Sequence, residues 1–497
     1  MVKFQIPTEV NYRLIRYYFW LVLIGNIITY SRLIQFHDAL FPLTKNAGLI
    51  NNYFLASCII LNLFQFKFYK NYYLSIINLI LSGFILRTLF TYGIFELTVL
   101  YANWLLVFFS LMLFGQNKKS KFRNIGLTGS FFTILMFGLS FFSSGFYKLI
   151  DPYWINGTGF KNFIQLDWVN NGRMNFFLDQ KLILILINYL SILFEIGFVI
   201  LFYFKKTRKI SFYVFSIIGI QLFFPYNIFL IGYFSMVFAI PVYIFSHNDG
   251  ENLSKINRWV FLCFSINLIL FAQANVNNII GRYFLINEKS IPFKKVNVIK
   301  LKLDNLSKQD YRKKIYEVYY LKELSNIFNF LKLRYLPYKR VDLFSSQHTV
   351  GVYSYQIRYT DEFGELGSLD IFSDNSRRGD IINSYFQINS FQGAMYSFSD
   401  LISYYHLLSE DEFKETFTKY LKNVYIPMIL WLETKNENVI KQASFIVSPT
   451  GKNCDNNFNH TLFKIDFEKM ETLFFEPNII DCDNGRYPKL INYLKDI

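Results

Sequence analysis

The sequence predicts a polytopic α-helical membrane bundle of about nine spans, followed by a C-terminal extracytoplasmic α+β domain rich in strands. Two observations carry the first half of that statement and one carries the second. Hydrophobic residues make up 53% of the 497 residues and charged residues only 18%, with 58 phenylalanines, which is far from the composition of a soluble enzyme. The apolar residues are also clustered, in runs near or above the roughly 20 needed to cross a bilayer core. Beyond about Asn275 the composition becomes ordinary and no further run is long enough to span. The expected division is therefore a transmembrane domain over 1–275 and a mixed domain over 276–497.

Six spans are expected at about Tyr17 to Leu33, Leu49 to Phe66, Tyr72 to Phe90, Ile94 to Phe114, Ile125 to Tyr147 and Leu182 to Phe204. The apolar run from Ile210 to Phe245 is too long for one crossing, and Pro225-Tyr226-Asn227 divides it into two. A ninth, weaker span reads from Trp259 to Ala272. Arg13 and Arg16 precede a first run that continues too long for a signal peptide and lacks a small-residue cleavage site, so it is expected to remain as a span.

A net charge of +15 on one soluble face would suggest nucleic acid. Here the cations sit in short loops between apolar runs: Lys67 and Lys70, then Lys118, Lys119, Lys121 and Arg123, then Lys205, Lys206, Arg208 and Lys209. That is the pattern of the positive-inside rule, so no nucleic-acid partner is expected and the lipid bilayer is. It places the N-terminus in the cytoplasm and the C-terminal domain outside. Of the four cysteines, Cys58 and Cys263 fall in apolar runs, while Cys454 and Cys482 form a candidate disulfide if their domain faces an oxidising compartment. The five histidines are scattered, and no metal is predicted.

In the C-terminal part, Leu301 to Tyr338 reads as a charged helix. Val350 to Ile357 and Leu366 to Phe372 read as a hairpin turned by Asp361-Glu362-Phe363-Gly364. Ser409 with Glu412 is a capping box before an amphipathic helix ending near Asn423. Tyr425 to Thr434 and Ile440 to Val447 read as two strands joined by Lys435 to Asn438.

The chemistry concentrates where the fifth span ends, in Ser143-Ser144-Gly145-Phe146-Tyr147-Lys148-Leu149-Ile150-Asp151-Pro152-Tyr153-Trp154-Ile155-Asn156-Gly157. A lysine at the end of a span is either a snorkelling anchor or a desolvated functional amine. Gly145 allows close helix approach, Pro152 stops the helix, and Trp154 with Gly157 suits a loop folded back over the site. Glu195 is an acid inside the sixth span, and such a group is costly unless it faces a partner or a cavity. Arg87 and Glu96 are placed to pair near the outer ends of adjacent spans. Asn103 would either orient a ligand or bond across helices. Asp151 and Lys161 read as solvated loop residues.

Gly145, Lys148, Leu149, Trp154 and Gly157 resemble the span-ending motif of the HTTM family, which comprises vitamin K-dependent γ-glutamyl carboxylases and their bacterial relatives, with one extra residue before the tryptophan. Phe229 to Ser235 is similar to that family's late Phe-x-Ile-Gly-x-Phe element, and Ile357 to Gly367 to its exterior strand and turn. Two family histidines are replaced, by Trp104 after Asn103 and by the Gln221-Leu222 stretch, and the elements leading into the exterior domain are not recognisable near Ser346 to Tyr355. The resemblance implies an integral protein of a bacterial inner membrane, with reduced vitamin K or another membrane quinol as cofactor and a secreted polypeptide as substrate. It further implies Lys148 as the catalytic base, a role that needs a neutral amine, and Asn103, Trp104, Tyr147, Trp154 and Glu195 as ligand-binding residues. The rival reading is a non-catalytic relative that binds an exported peptide as a helper or immunity component. A transporter is less favoured, because no inverted repeat is apparent.

Overall fold

The structure is a computed structural model. It describes residues 3–5, 9–35, 52–89, 95–115, 120–150, 152–165, 176, 179–223, 229–247, 253–255, 257–269, 271–272, 298–302, 353–370, 410–421, 425–426, 429–430, 433, 437–449, 460–475, 480–481 and 485–486. The N-terminal half is helical: α1 (Glu9–Gln35), α2 (Asn52–Lys67), α3 (Tyr72–Leu89), α4 (Phe95–Gly115), α5 (Ser120–Ile150), α6 (Pro152–Ile155), α7 (Gly159–Gln165), α8 (Lys181–Tyr203), α9 (Arg208–Phe223) and α10 (Phe229–Ser246). A further apolar helix, α11, runs over Arg258–Ile269. Helix is what such a sequence must form in lipid, where every backbone N–H and C=O has to be satisfied within its own segment.

Among the described residues four helices are long and apolar enough to cross a membrane: Asn11–Ser31, Thr98–Gly115, Lys121–Leu149 and Lys181–Tyr203. Other expected spans are helical but shorter. The described helix α11 rises only about 18 Å, short of a hydrocarbon core of about 30 Å. Neighbouring helices pack in the order α1, α2, α3, α4, α5, α8, α9, α10, and α10 packs back on α1, so the bundle closes on itself. A small antiparallel pair, β1 (Lys3–Gln5) with β2 (Leu253–Lys255), ties the start of the chain to the segment after α10. That pairing had no periodic signal in so short a run.

Apolar packing alone does not distinguish one helix neighbour from another in lipid, and buried amides supply the missing specificity. Asn62 of α2 is the hub. Its Oδ1 accepts from Asn26 Nδ2 of α1 at 3.2 Å and from Asn78 Nδ2 of α3 at 3.1 Å, and its own Nδ2 donates to Asn78 Oδ1 at 3.0 Å. Asn26 Nδ2 also donates to Asn103 Oδ1 of α4 at 2.9 Å. Asn78 donates to Gln65 Oε1, and Gln65 donates on to Ser75 Oγ at 2.7 Å. Four helices are thereby stitched together by side chains that are buried almost completely. The α4–α5 contact is tighter still, because a β-carbon at Gly129 would stand 2.1 Å from the Phe108 ring.

The basic turns gather at one end. Arg16 of α1 lies over Tyr69 in the α2–α3 turn, Tyr72 meets Phe114 and Phe122 at the α4–α5 turn, and Arg208 donates to the Phe202 and Tyr203 carbonyls that end α8. Lys148 stands at the other end of α5.

The C-terminal part contains an open antiparallel sheet of six strands, ordered β3 (Val298–Lys302), β8 (Glu471–Phe475), β7 (His460–Asp466), β6 (Ile440–Pro449), β4 (Tyr353–Asp361), β5 (Leu366–Asp370). The predicted hairpin is present: Thr360 pairs with Leu366, the Asp361 side chain accepts from the Phe363 and Glu365 amides, and Gly364 takes the positive φ of +82° that the turn requires. Helix α12 (Glu410–Tyr420) sets Phe413 and Phe417 against Phe474, with Phe417 also against Phe463.

Two expectations fail here. The strand predicted over Tyr425 to Thr434 is helical wherever it is described, because Tyr425, Ile426, Ile429, Leu430 and Glu433 are all buried, at a spacing that follows the helical period. The helix predicted from Leu301 starts inside strand β3, where Ile299 is buried between exposed Val298 and Lys300 and the backbone pairs with β8. Residues 303–338 lie outside the described residues, as do Ser409, Asn423, Cys454 and Cys482.

Candidate functional site

At the C-terminal end of α5, Lys148 is 3% exposed and its Nζ donates to Glu195 Oε1 of α8 at 2.5 Å. The same ammonium stands 4.5 Å from the centre of the Trp154 ring. A cation in the last turn of a helix is favoured by the helix dipole, and its desolvation is offset by the carboxylate and the indole face. Lys148 is therefore not an anchor reaching for headgroups but a member of a closed ion pair. Gly145 makes the pair geometrically available. A β-carbon there would lie 3.1 Å from Glu195 Cβ, so any side chain would push the helices apart.

The loop after α5 folds back over the pair as the cover the sequence suggested. Helix α6, a turn at Gly157 with φ +79°, and α7 bring Trp154 to 1% exposure above Lys148. Gly159 admits the indole, since a β-carbon at that position would sit 2.5 Å from Trp154 Cδ2. Two residues of α8 fasten the cover. Asn188 Nδ2 donates to the Trp154 carbonyl at 2.8 Å while its Oδ1 accepts from the Phe160 amide at 2.9 Å, and Tyr189 donates its hydroxyl to the Ile155 carbonyl at 2.6 Å. Neither Asn188 nor Tyr189 was singled out from sequence. A signal existed for the first, because Asn188 lies seven residues before Glu195 and so two helical turns away on the same face.

Ser144 lies beside the Glu195 carboxylate. The second carboxylate oxygen, Oε2, is buried with no hydrogen-bond partner among the described residues. An orphaned acceptor next to a paired amine is a place where a hydroxyl or N–H of a guest would be held. Among the described residues no cluster of His, Cys, Asp and Glu could hold a metal ion.

The expected ligand-binding residues do not all meet here. Tyr147, Trp154 and Glu195 are buried with or beside Lys148. Asn103 belongs to the amide network, donating to the Val99 carbonyl at 2.9 Å and to Asn26 Oδ1 at 3.3 Å. Trp104 stacks on Phe108 and lines an apolar groove of about 100 Å³ with Phe132, Met136, Val260 and Phe264, about three helical turns along α5 from Lys148. Asp151 and the side chains of Arg87 and Glu96 lie outside the described residues, and Lys161 is half-buried on α7. Cys58 is buried and Cys263 exposed, both as free thiols. Comparison with protein-family models, with curated proteins and with solved structures finds no match to this chain.

Proposed function

We propose that this chain is a carboxylase-like HTTM protein of a bacterial inner membrane. In this reading about nine helices cross the bilayer, the N-terminus and the basic turns are cytoplasmic, and the strand-rich domain lies outside. The Lys148–Glu195 pair would handle a proton under the Trp154 cover. One observation carries the reading: an amine and a carboxylate 2.5 Å apart, both buried at the end of a membrane-length helix. Transfer of the proton from Lys148 to Glu195 along that contact is the step this reading requires, and the buried setting keeps water out of it. Lys148 is then able to accept a proton from a bound hydroxyl, and Glu195 Oε2 to orient that group. A membrane quinol, when bound, would supply the acidic hydroxyl and, oxidised by dioxygen, the strong base that removes a γ-proton from a glutamate of a secreted polypeptide, to which carbon dioxide then adds.

Mass spectrometry of peptides secreted by cells with and without the protein tests this directly. A gain in mass of one carbon dioxide on glutamate that needs Lys148 supports it, and unmodified peptides in both strains refute it.

A second reading is favoured by the completeness of the pair itself. Lys148 spends its charge on Glu195 and Trp154, as a purely structural ion pair would. The protein is then a non-catalytic membrane component that binds an exported peptide in a helper or immunity role. Lys148→Arg separates the two readings, because a guanidinium can keep the ion pair but does not give up its proton.

A further inference from the structure

We infer that Arg16, Lys67, Lys70 and Tyr69 form a binding site for the phosphate-bearing headgroup of an anionic lipid. The inference is independent of the Lys148 site, which lies at the other end of the bundle. Arg16 comes from α1, and the other three residues come from the end of α2 and the turn that follows it. The Arg16 guanidinium stands 5.1 Å from the centre of the Tyr69 ring and Lys70 Nζ stands 5.8 Å from the same point, so the two charges lie within about 11 Å of one another. Lys67 Nζ is 5.7 Å from the adjacent Phe68 ring. All three cations are exposed, and none has a carboxylate partner among the described residues. Exposed charges at such separations repel only weakly in salt, and an anion placed between them would be attracted by both.

Tyr69 keeps them there. It is half-buried, packs on the core and meets the Phe19 ring at 6.4 Å, so its position is set by the fold. Around the cluster Tyr17, Phe68 and Tyr73 are largely exposed, as aromatic side chains at a membrane interface are. Cations beside such a rim face lipid headgroups, and the guanidinium fork matches phosphate oxygens better than a point charge does. The occupant the site fits is a phospholipid with net negative charge, its phosphate between Arg16 and the two lysines and its chains along the exposed aromatics.

The test uses the full-length protein purified in neutral detergent, with retained lipid counted by native mass spectrometry after addition of phosphatidylglycerol or phosphatidylcholine. Wild type is expected to retain phosphatidylglycerol preferentially. Arg16→Gln with Lys70→Gln should lower that retention by about tenfold or more. Lys205→Gln with Lys206→Gln removes the same charge from another exposed turn and should leave retention within about twofold. Equal retention of both lipids by wild type overturns the proposal, as does an equal loss in the control pair. Displacement of phosphatidylglycerol by millimolar inorganic phosphate overturns the assignment to lipid and leaves a soluble-anion site. Should the Arg16 variant fail to fold, Lys67→Gln with Lys70→Gln, confined to the exposed turn, decides against the same control.

Discussion

Gly145 and Ile196 stand so close that a β-carbon on the glycine would lie 2.8 Å from Ile196 Cγ1. That approach of α5 to α8 is what lets Glu195 meet Lys148. Gly145→Val is expected to part the helices and to cost about 1–3 kcal/mol, with Gly145→Ala costing less. Thermal melting of the detergent-solubilised protein reads the difference. A valine variant that melts with wild type would mean the crossing is set elsewhere.

Removing one partner of the buried pair leaves an uncompensated charge. Lys148→Met or Glu195→Leu alone should each destabilise by about 3–5 kcal/mol, while the double variant should recover most of that loss, since an apolar pair of similar volume carries no desolvation cost. Additive losses in the double variant would argue that the two side chains are not coupled.

Asn188 holds both ends of the cover through one amide. Asn188→Ala is expected to free the Trp154 carbonyl and the Phe160 amide and so to expose Lys148. The rate at which a water-soluble amine-reactive reagent modifies Lys148, mapped by peptide mass, should rise at least several-fold, and Tyr189→Phe should raise it less. An unchanged rate in the alanine variant would show that the cover is held without this residue.

Asn62→Leu removes the hub of the amide network and strands donors on Asn26 and Asn78. Membrane hydrogen bonds of this kind contribute about 0.6 kcal/mol each, so a loss of about 1–2 kcal/mol is expected. Asn103→Leu, at the network's end, should cost less. The comparison of the two melting temperatures checks the ranking.

Single cysteines at Lys121 and Phe363, both exposed, should react with an impermeant maleimide from opposite sides of the membrane in intact cells and spheroplasts. Labelling of both from one side would refute the orientation.

Much of the fold was legible because apolar helices announce themselves by composition: each helix from α1 to α10 on which a span was read lies close to the predicted run. The hairpin was legible for a different reason, since Asp361 and Gly364 are the residue types its turn demands. The Tyr425 segment carries aromatic and β-branched residues that suit a strand, yet the spacing of its buried residues is helical. At the site, the sequence marked Lys148, Glu195, Gly145 and Trp154 individually, but their convergence depends on which helices are neighbours. That is decided by long-range amide bonds and glycine contacts, which no local pattern encodes. The same gap explains Asn103 and Trp104, adjacent in sequence yet directed to an amide network and to an apolar groove.

The pairing of Lys3–Gln5 with Leu253–Lys255 has a consequence for biosynthesis. Lys3–Gln5 must wait for a partner made about 250 residues later, so this seam can be sewn only after the helices between them have been made. Bulk added beside Lys3 would burden that last stitch.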